Sequence, residues 1–282
     1  LRFDGLTWKS VSEGDTTNLF AISNVGPSDN WLVGDAGRVL HAHGGVYERV
    51  PSTTTDPLRG VWAASTDDVW IVGDFGTVLH YGGQHVDFVS SGATTDFRGV
   101  YGFGAKDIWM VGRSGLLLHY DGQIFSRTDT GLSQTLNAIG GVSGRDVWAV
   151  GDQGVILHFT GGEWRRSWSR TGDTLRAVWA AAENDVWMVG DNGVIIRYNG
   201  STYEYDFVGD EHNPITLLGI AGQPGGELFV VGQSGKMFRF DGTAWRAVES
   251  GTSGALSAVT RDVSGRFFFA GQGGAILHRD TK

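Results

Sequence analysis

The amino-acid sequence predicts an all-β fold, a seven-bladed β-propeller of four-stranded blades. Two observations support this prediction: a repeat of about 40 residues and four short β-rich runs within each repeat. Each copy has an aromatic residue, a glycine three residues later, and a second glycine after three more. The first of the two glycines, here called the marker glycine, recurs in seven copies: Gly34, Gly73, Gly112, Gly151, Gly190, Gly232 and Gly271.

The content of one repeat distinguishes a blade from a helical solenoid unit. In residues 58–91, four β-rich runs alternate with short turns that contain glycine or aspartate, and no segment is long enough for a solenoid helix. Val78 and Leu79 are adjacent and both aliphatic, and other repeats have similar pairs. Neighbouring residues of a strand face opposite sides of its sheet, so both sides are expected to be buried, as they are where blade packs on blade.

The two ends of the chain are predicted to share the last blade. The first eight residues resemble residues 238–245, which end a blade, whereas the C-terminal repeat stops where its outer strand should follow. We therefore expect the N-terminal strand to close the ring and to cover the open sheet edge. The prediction is one domain over residues 1–282, with the seventh blade shared between about 1–13 and 252–282.

The Trp-x-x-Val-Gly-x-x-Gly pattern resembles that of bacterial seven-bladed propellers, and it is similar to photosystem II assembly-factor-like and sialidase-repeat propellers. The resemblance spans the chain, but its motifs are structural. The Asp box of sialidase repeats is absent, and residues 119–122 are the nearest string. The signatures of WD repeats are absent too. The resemblance therefore implies a fold and a tendency to bind, without an activity.

Composition and charge narrow the classes of partner. The chain has 22 Lys and Arg against 31 Asp and Glu, a net charge of −9, which argues against a nucleic-acid partner. Without cysteine it has no thiolate metal site, and no apolar run is long enough for membrane insertion. We expect the protein to bind no cofactor and to have an extracellular, periplasmic or cell-surface location. We also expect the chain to be a processed piece of a longer chain or part of an assembly.

A column of basic residues lies seven positions after the marker glycines: His41, His80, His119, His158, Arg197, Arg239 and His278. These residues belong to different blades and cannot converge on one metal ion. We expect them to form repeated structural hydrogen bonds, and the candidate partners are Asp29, Asp68, Asp107, Asp146 and Asp185. The aspartates that directly follow several marker glycines are assigned to turns in which they bond their own backbone.

Three arginines, Arg59, Arg98 and Arg176, occupy one equivalent position near the start of the innermost strand. In the other blades this position holds Phe20, Asn137, Leu218 and Ser257. Because innermost strands surround the channel of a propeller, the arginines are expected to meet at its mouth and to bind an anion or a carboxylate. The alternative is that each pairs with an aspartate of the preceding loop: Asp56, Asp96 or Asp173.

The one lengthened connection between blades includes Asp210, Glu211 and His212, which we add to Arg59, Arg98, Arg176 and Asn137 as ligand-binding candidates. The outer strands carry aromatic residues that would pack inward or stack on sugars: Trp8, Tyr47, Phe125, Trp164, Trp168, Tyr203, Tyr205 and Trp245.

The resulting hypothesis is a non-catalytic scaffold that engages a protein or glycan partner at the channel mouth. The first alternative is a lectin with repeated sugar sites on its blades. The second is a hydrolase or lyase with a channel-face site that would use Glu211, His212 and the arginines. No hydrolase, metalloprotease or nucleotide-binding motif is present, which favours binding over catalysis.

Overall fold

The computed structural model describes residues 2–3, 8–9, 16–209 and 213–279, and for 2–3 and 8–9 it describes the backbone alone. This part of the chain forms 29 strands, numbered in chain order, and seven three-residue 3₁₀ turns. None of its helical segments is long and apolar enough to cross a membrane.

The strands fall into four concentric positions. The innermost strands are β3 (Leu19–Gly26), β7 (Leu58–Ser65), β11 (Phe97–Gly104), β15 (Leu136–Ser143), β19 (Leu175–Ala182), β23 (Leu217–Gly222) and β27 (Leu256–Arg261). The second strands are β4 (Asp29–Gly34), β8 (Asp68–Gly73), β12 (Asp107–Gly112), β16 (Asp146–Gly151), β20 (Asp185–Gly190), β24 (Leu228–Gly232) and β28 (Phe267–Gly271). The third strands are β5 (Val39–His43), β9 (Val78–Tyr81), β13 (Leu117–Tyr120), β17 (Val155–Phe159), β21 (Val194–Tyr198), β25 (Met237–Phe240) and β29 (Ile276–Arg279). The outer strands are β6 (Val46–Arg49), β10 (Val86–Phe88), β14 (Phe125–Arg127), β18 (Trp164–Trp168), β22 (Tyr203–Phe207) and β26 (Trp245–Ala247), with β1 (Arg2–Phe3) and β2 (Trp8–Lys9) in the last blade.

Six blades are four-stranded antiparallel sheets of consecutive strands, and the seven-bladed prediction is confirmed. The last sheet has the order β27-β28-β29-β1-β2, so the N-terminal strands do close the ring. One closing strand was expected, but this sheet contains two: β1 pairs in parallel with β29, and β2 pairs with β1. The reason is that Arg2-Phe3 repeats the end of a third strand, and β29 already occupies that position.

Each second strand is joined to its third strand by one of the seven 3₁₀ turns: Asp35–Gly37, Asp74–Gly76, Arg113–Gly115, Asp152–Gly154, Asp191–Gly193, Gln233–Gly235 and Gln272–Gly274. The marker glycine before each turn is required for space. A Cβ on Gly151 would lie 2.0 Å from the carbonyl oxygen of Thr135, which begins the same blade. The turn therefore packs directly on the connection that leads into its own innermost strand.

Five of the seven joints between blades share one aromatic contact, which buries the tryptophan of the repeat. Each tryptophan packs on the aromatic residue that ends the third strand of the next blade, with ring centroids 4.7–5.5 Å apart. The pairs are Trp31 on Tyr81, Trp70 on Tyr120, Trp109 on Phe159, Trp148 on Tyr198 and Trp187 on Phe240. At the joint between the sixth and seventh blades, the guanidinium of Arg279 lies 5.0 Å from the ring of Phe229 instead.

The predicted structural hydrogen bonds are present for six of the seven residues of the column, five of them with the predicted aspartates. The histidine Nε2 lies 2.7–2.8 Å from an aspartate oxygen in His41–Asp29, His80–Asp68 and His119–Asp107, and His158 pairs with Asp146 in the same way. Arg197 pairs with Asp185, and Arg239 pairs with Glu227. Each pair joins the third strand to the start of the second strand, twelve residues earlier.

Candidate binding site

The residues at the position that the three arginines share lie together at the mouth of the central channel. Arg59, Arg98, Arg176 and Asn137, together with Phe20, Leu218 and Ser257, line one open cavity of about 190 Å³. The structure therefore brings four of the seven candidate residues together. The other three, Asp210, Glu211 and His212, lie outside the described residues.

A β-bulge places each of these seven residues at the mouth. In every innermost strand the pairing with the second strand skips one residue, as between Leu58 and Gly60, and the skipped residue is the one at the shared position. Bulges change the direction in which a side chain points and are frequent beside functional sites. We call these seven positions the bulge positions; the repeat alone does not reveal that they are bulged.

Asp74 links two of the arginines. The Arg59 Nε and Nη2 atoms donate to the two carboxylate oxygens of Asp74 at 3.0 and 2.7 Å, and Arg98 Nη1 donates to one of them at 2.9 Å. Arg98 Nη2 also donates to Asp96 at 3.3 Å. The Arg59 guanidinium lies 4.5 Å from the centre of the Phe20 ring, so the neighbouring bulge positions of three blades are connected.

Two other blades use the same connection. Arg176 makes a bidentate pair with Asp191 at 2.6 and 2.9 Å, and the Asn137 amide donates to Asp152 at 2.9 Å. The acceptor follows the bulge position by fifteen residues in each case and lies in the 3₁₀ turn of the same blade. The carboxylates of these turns thus hold the bulge residues, whereas the sequence analysis assigned them to their own backbone.

The suggested alternative partners are different from the observed ones for two arginines. Asp56 accepts a hydrogen bond from Thr77, and Asp173 accepts one from Asn192, while Asp96 does bond Arg98. A loop aspartate was expected because it is close in sequence. The 3₁₀ turn is closer in space because it packs beside the start of the innermost strand.

At the mouth, the positive charges of the arginines are paired with the negative charges of aspartates. Burial alone would raise the pKa of the Asp74 carboxyl, but hydrogen bonds and positive charge from Arg59 and Arg98 outweigh it and hold that pKa below 3.8. The hydrogen bond to Asp74 in turn raises the pKa of Arg59. An incoming anion would therefore compete with aspartates for the arginines. Among the described residues, the arginines donate through Arg59 Nε and Nη2, Arg98 Nη1 and Nη2, and Arg176 Nε and Nη2.

Phe75 adjoins Asp74 and was not among the predicted contact residues. It lies in the turn between Asp74 and Gly76, its side chain is 72% exposed, and its backbone N–H donates to Asp96 at 3.0 Å. Its φ of +58° is left-handed, a conformation that bulky side chains rarely adopt. The other repeats have small or polar residues here (Ala36, Ser114, Gln153, Asn192, Ser234 and Gly273), and that contrast was the available indication.

The outer-strand aromatics pack inward rather than forming a row of exposed rings. Trp164 packs on Trp109, and Trp245 packs on Trp187, each edge to face. Burial raises the pKa of Tyr47 to about 12. Trp168 is 44% exposed, and it is the exposed member of the set within the described residues.

Comparison with known proteins supports the fold. No family model and no curated protein matches the sequence. Among solved structures, YCF48 bound to a D1 peptide superposes with a TM-score of 0.80 at 17% identity, over 100% of this chain and 97% of that one. YCF48 from Cyanidioschyzon merolae gives 0.77 at 19% identity, over 96% and 98%. The WD40 propeller domain of Doa1 gives 0.81 at 10% identity, over 96% and 95%. At these identities the similarity establishes the propeller fold alone.

Proposed function

We propose that this protein is a non-catalytic scaffold that binds a polypeptide partner at the channel mouth. The contact residues would be Arg59, Arg98, Arg176 and Asn137, with Phe75 beside them. The predicted contacts Asp210, Glu211 and His212 remain part of this proposal. The observation on which it rests is Phe75, a large exposed ring held in an unfavourable backbone conformation beside fixed polar groups.

The size of the cavity favours a polypeptide over a small molecule. Pockets that enclose drug-sized ligands measure roughly 300–1,000 Å³, whereas the mouth offers about 190 Å³. That volume suits one side chain of a partner whose remaining contacts spread over the rim. Alternating arginines and aspartates would supply donors and acceptors for peptide groups, in an orientation that is set before binding.

Phe75 would supply the apolar part of the contact. A left-handed conformation costs a non-glycine residue on the order of 1–2 kcal/mol. The turns of the other repeats share this conformation, and what is particular to Phe75 is that a large apolar ring occupies it. Aromatic residues and arginines are common among the residues that dominate binding energy at interfaces. One of the superposed structures is a propeller bound to a peptide, which supports a polypeptide partner.

The test uses a displayed library of random peptides, selected against the purified chain. Peptides that bind wild type should bind Phe75→Asn and Arg98→Ala at least tenfold more weakly. The matched controls are Phe88→Asn and Arg165→Ala, which change an exposed phenylalanine and an exposed arginine on outer strands. Replacing Arg59, Arg98 and Arg176 together with alanine should abolish binding while circular dichroism shows a folded protein. Equal binding by the mouth variants, or no enriched peptide, would contradict the proposal.

A glycan partner is the second candidate, and Trp168 is the observation that favours it. The guanidinium of Arg166 lies 5.5 Å from the Trp168 ring, which leaves an aromatic and a cationic group together on the outer strand. A glycan array would decide this question. Binding to one class of sugar that Trp168→Ala removes would favour the lectin, and a blank array on folded protein would leave the polypeptide scaffold.

A further inference from the structure

The first blade carries a cluster of metal-ligating side chains away from the channel mouth. Asp29, His41 and His43 each offer one ligand atom, and these atoms all lie within 4.8 Å of one another. Asp29 begins β4, and the opposite end of that strand carries Gly34 and the turn at the mouth. The cluster is therefore separated from the proposed binding site by the length of the strand.

The strand geometry explains why the three side chains meet. His41 and His43 are two residues apart on β5, so their side chains point to the same face of the sheet. Asp29 directly precedes Asn30, which pairs with Ala42 between the two histidines. The His41 Nε2 atom lies 2.8 Å from Asp29 Oδ1, and the His43 Nδ1 atom lies 4.0 Å from Asp29 Oδ2.

The other blades provide an internal comparison. Pairs equivalent to Asp29–His41 recur in the second, third and fourth blades, but the position of His43 is taken there by Gly82, Asp121 and Thr160. Asp121 accepts hydrogen bonds from the backbone N–H groups of Gln123 and Ile124 in its own turn. Within the described residues, the three-ligand cluster thus occurs in the first blade alone. His43 is also not needed for the structural pair, because the other blades form that pair without it.

The surroundings of the cluster resemble the support that metal ligands have in proteins. The Thr66 hydroxyl, from the second blade, donates to Asp29 Oδ2 at 2.7 Å and orients the carboxylate. Trp31 stacks on the His41 ring with centroids 4.2 Å apart and an angle of 9° between the planes. Such second contacts fix ligand orientation and commonly change metal affinity 10- to 100-fold. The His43 side chain is 82% exposed, so an ion can reach the cluster from solvent.

We propose that Asp29, His41 and His43 form a binding site for a divalent ion of the zinc type. Two imidazoles and one carboxylate are ligands that Zn²⁺ accepts, whereas Ca²⁺ and Mg²⁺ require mainly oxygen. The ion takes the place of the hydrogen atom between His41 Nε2 and Asp29 Oδ1, whose proton is released to solvent, and a small rotation of His43 closes the remaining gap. Three protein ligands leave at least one coordination position for water or for a donor group of another molecule.

Isothermal titration of the purified chain with Zn²⁺ tests this site. Wild type should bind one ion, and His43→Ala should weaken binding at least tenfold. The His43 ring is exposed and lies 4.0 Å from Asp29, and among the described residues it makes no hydrogen bond, so the variant should fold as wild type does. The matched control is His85→Ala, which removes an exposed histidine near the corresponding hairpin of the second blade and should leave binding unchanged.

Two further measurements make the result decisive. Zn²⁺ should raise the melting temperature of wild type and of His85→Ala but not that of His43→Ala, because a ligand that binds the folded state stabilises it. Binding should also weaken at acidic pH, since the histidines must be deprotonated to bind metal. No binding to wild type, or equal binding by wild type and His43→Ala, would overturn the proposal.

Discussion

Replacing Asp74 with asparagine should destabilise the protein by about 2–3 kcal/mol. Asp74 is 9% exposed and accepts three hydrogen bonds from two guanidinium groups. A hydrogen bond to a charged group contributes roughly 1.5–3 kcal/mol. Asparagine keeps one oxygen acceptor, and the two arginines are partly exposed, so the expected loss is well below the sum over three bonds.

Thermal unfolding and urea titration measure this loss, with Asp191→Asn as the matched control. Asp191 occupies the same turn position but holds one arginine, and its side chain is 27% exposed. We therefore expect a smaller loss, near 1 kcal/mol. With an unfolding entropy of about 2.1 cal/mol/K per residue, Asp74→Asn should lower the melting temperature by about 4 °C.

The pH dependence provides a second check. Because the pKa of Asp74 is lowered in the folded protein, its stabilising effect is fully present above about pH 4 and is lost as the pH falls through the folded value. The difference in stability between wild type and Asp74→Asn should therefore narrow below pH 4. A loss in Asp191→Asn equal to or greater than that in Asp74→Asn would refute the idea that Asp74 connects the mouth.

Three further predictions concern other parts of the fold. Phe75→Asn should stabilise the chain by about 0.5–1 kcal/mol while weakening peptide binding, because asparagine tolerates the left-handed conformation; a destabilised variant in urea titration would argue against strain. Gly151→Ala should cost about 3 kcal/mol, since its Cβ would lie 2.0 Å from the Thr135 oxygen, whereas Gly162→Ala, with open space around it, should cost almost nothing in the same titration. Burial raises the pKa of Tyr47 to about 12 in the folded state, so the unfolded chain ionises first and the free energy of unfolding falls as the pH rises from 10 to 12. Tyr47→Phe should remove one step near pH 12 from the ultraviolet titration of tyrosines.

The regular features of the fold could be predicted because they recur in the sequence. The repeat predicted seven blades, and the recurrence of the basic column and of Asp29 and its equivalents in each repeat predicted the structural pairs. The convergence of Arg59, Arg98 and Arg176 also follows from propeller topology. Repetition placed these residues correctly even though no single motif specified them.

The remaining features depend on local geometry that a repeat does not express. The partner of Arg59 is Asp74, fifteen residues away, because a bulge turns the side chain toward a 3₁₀ turn that packs beside it. The bulge has no residue signature of its own, and the marker glycine indicates that the turn packs closely without identifying Asp74 as the partner of Arg59. The parallel pairing of β1 with β29 was missed for a related reason: sequence similarity identified the segment as a strand but did not show how it would pair.

The interfaces between neighbouring blades are not all alike. The interfaces between neighbouring repeats contribute much of the stability of repeat proteins. If all interfaces were identical, any blade could pack against any other. Here five joints use tryptophan against an aromatic residue. At the joint between the sixth and seventh blades, Phe229 instead packs on Phe267 and Phe269, and Arg279, with Glu227 beside it, lies over the Phe229 ring. This joint is chemically distinct from the five tryptophan joints, so the sixth and seventh blades are not interchangeable with the other blades as neighbours.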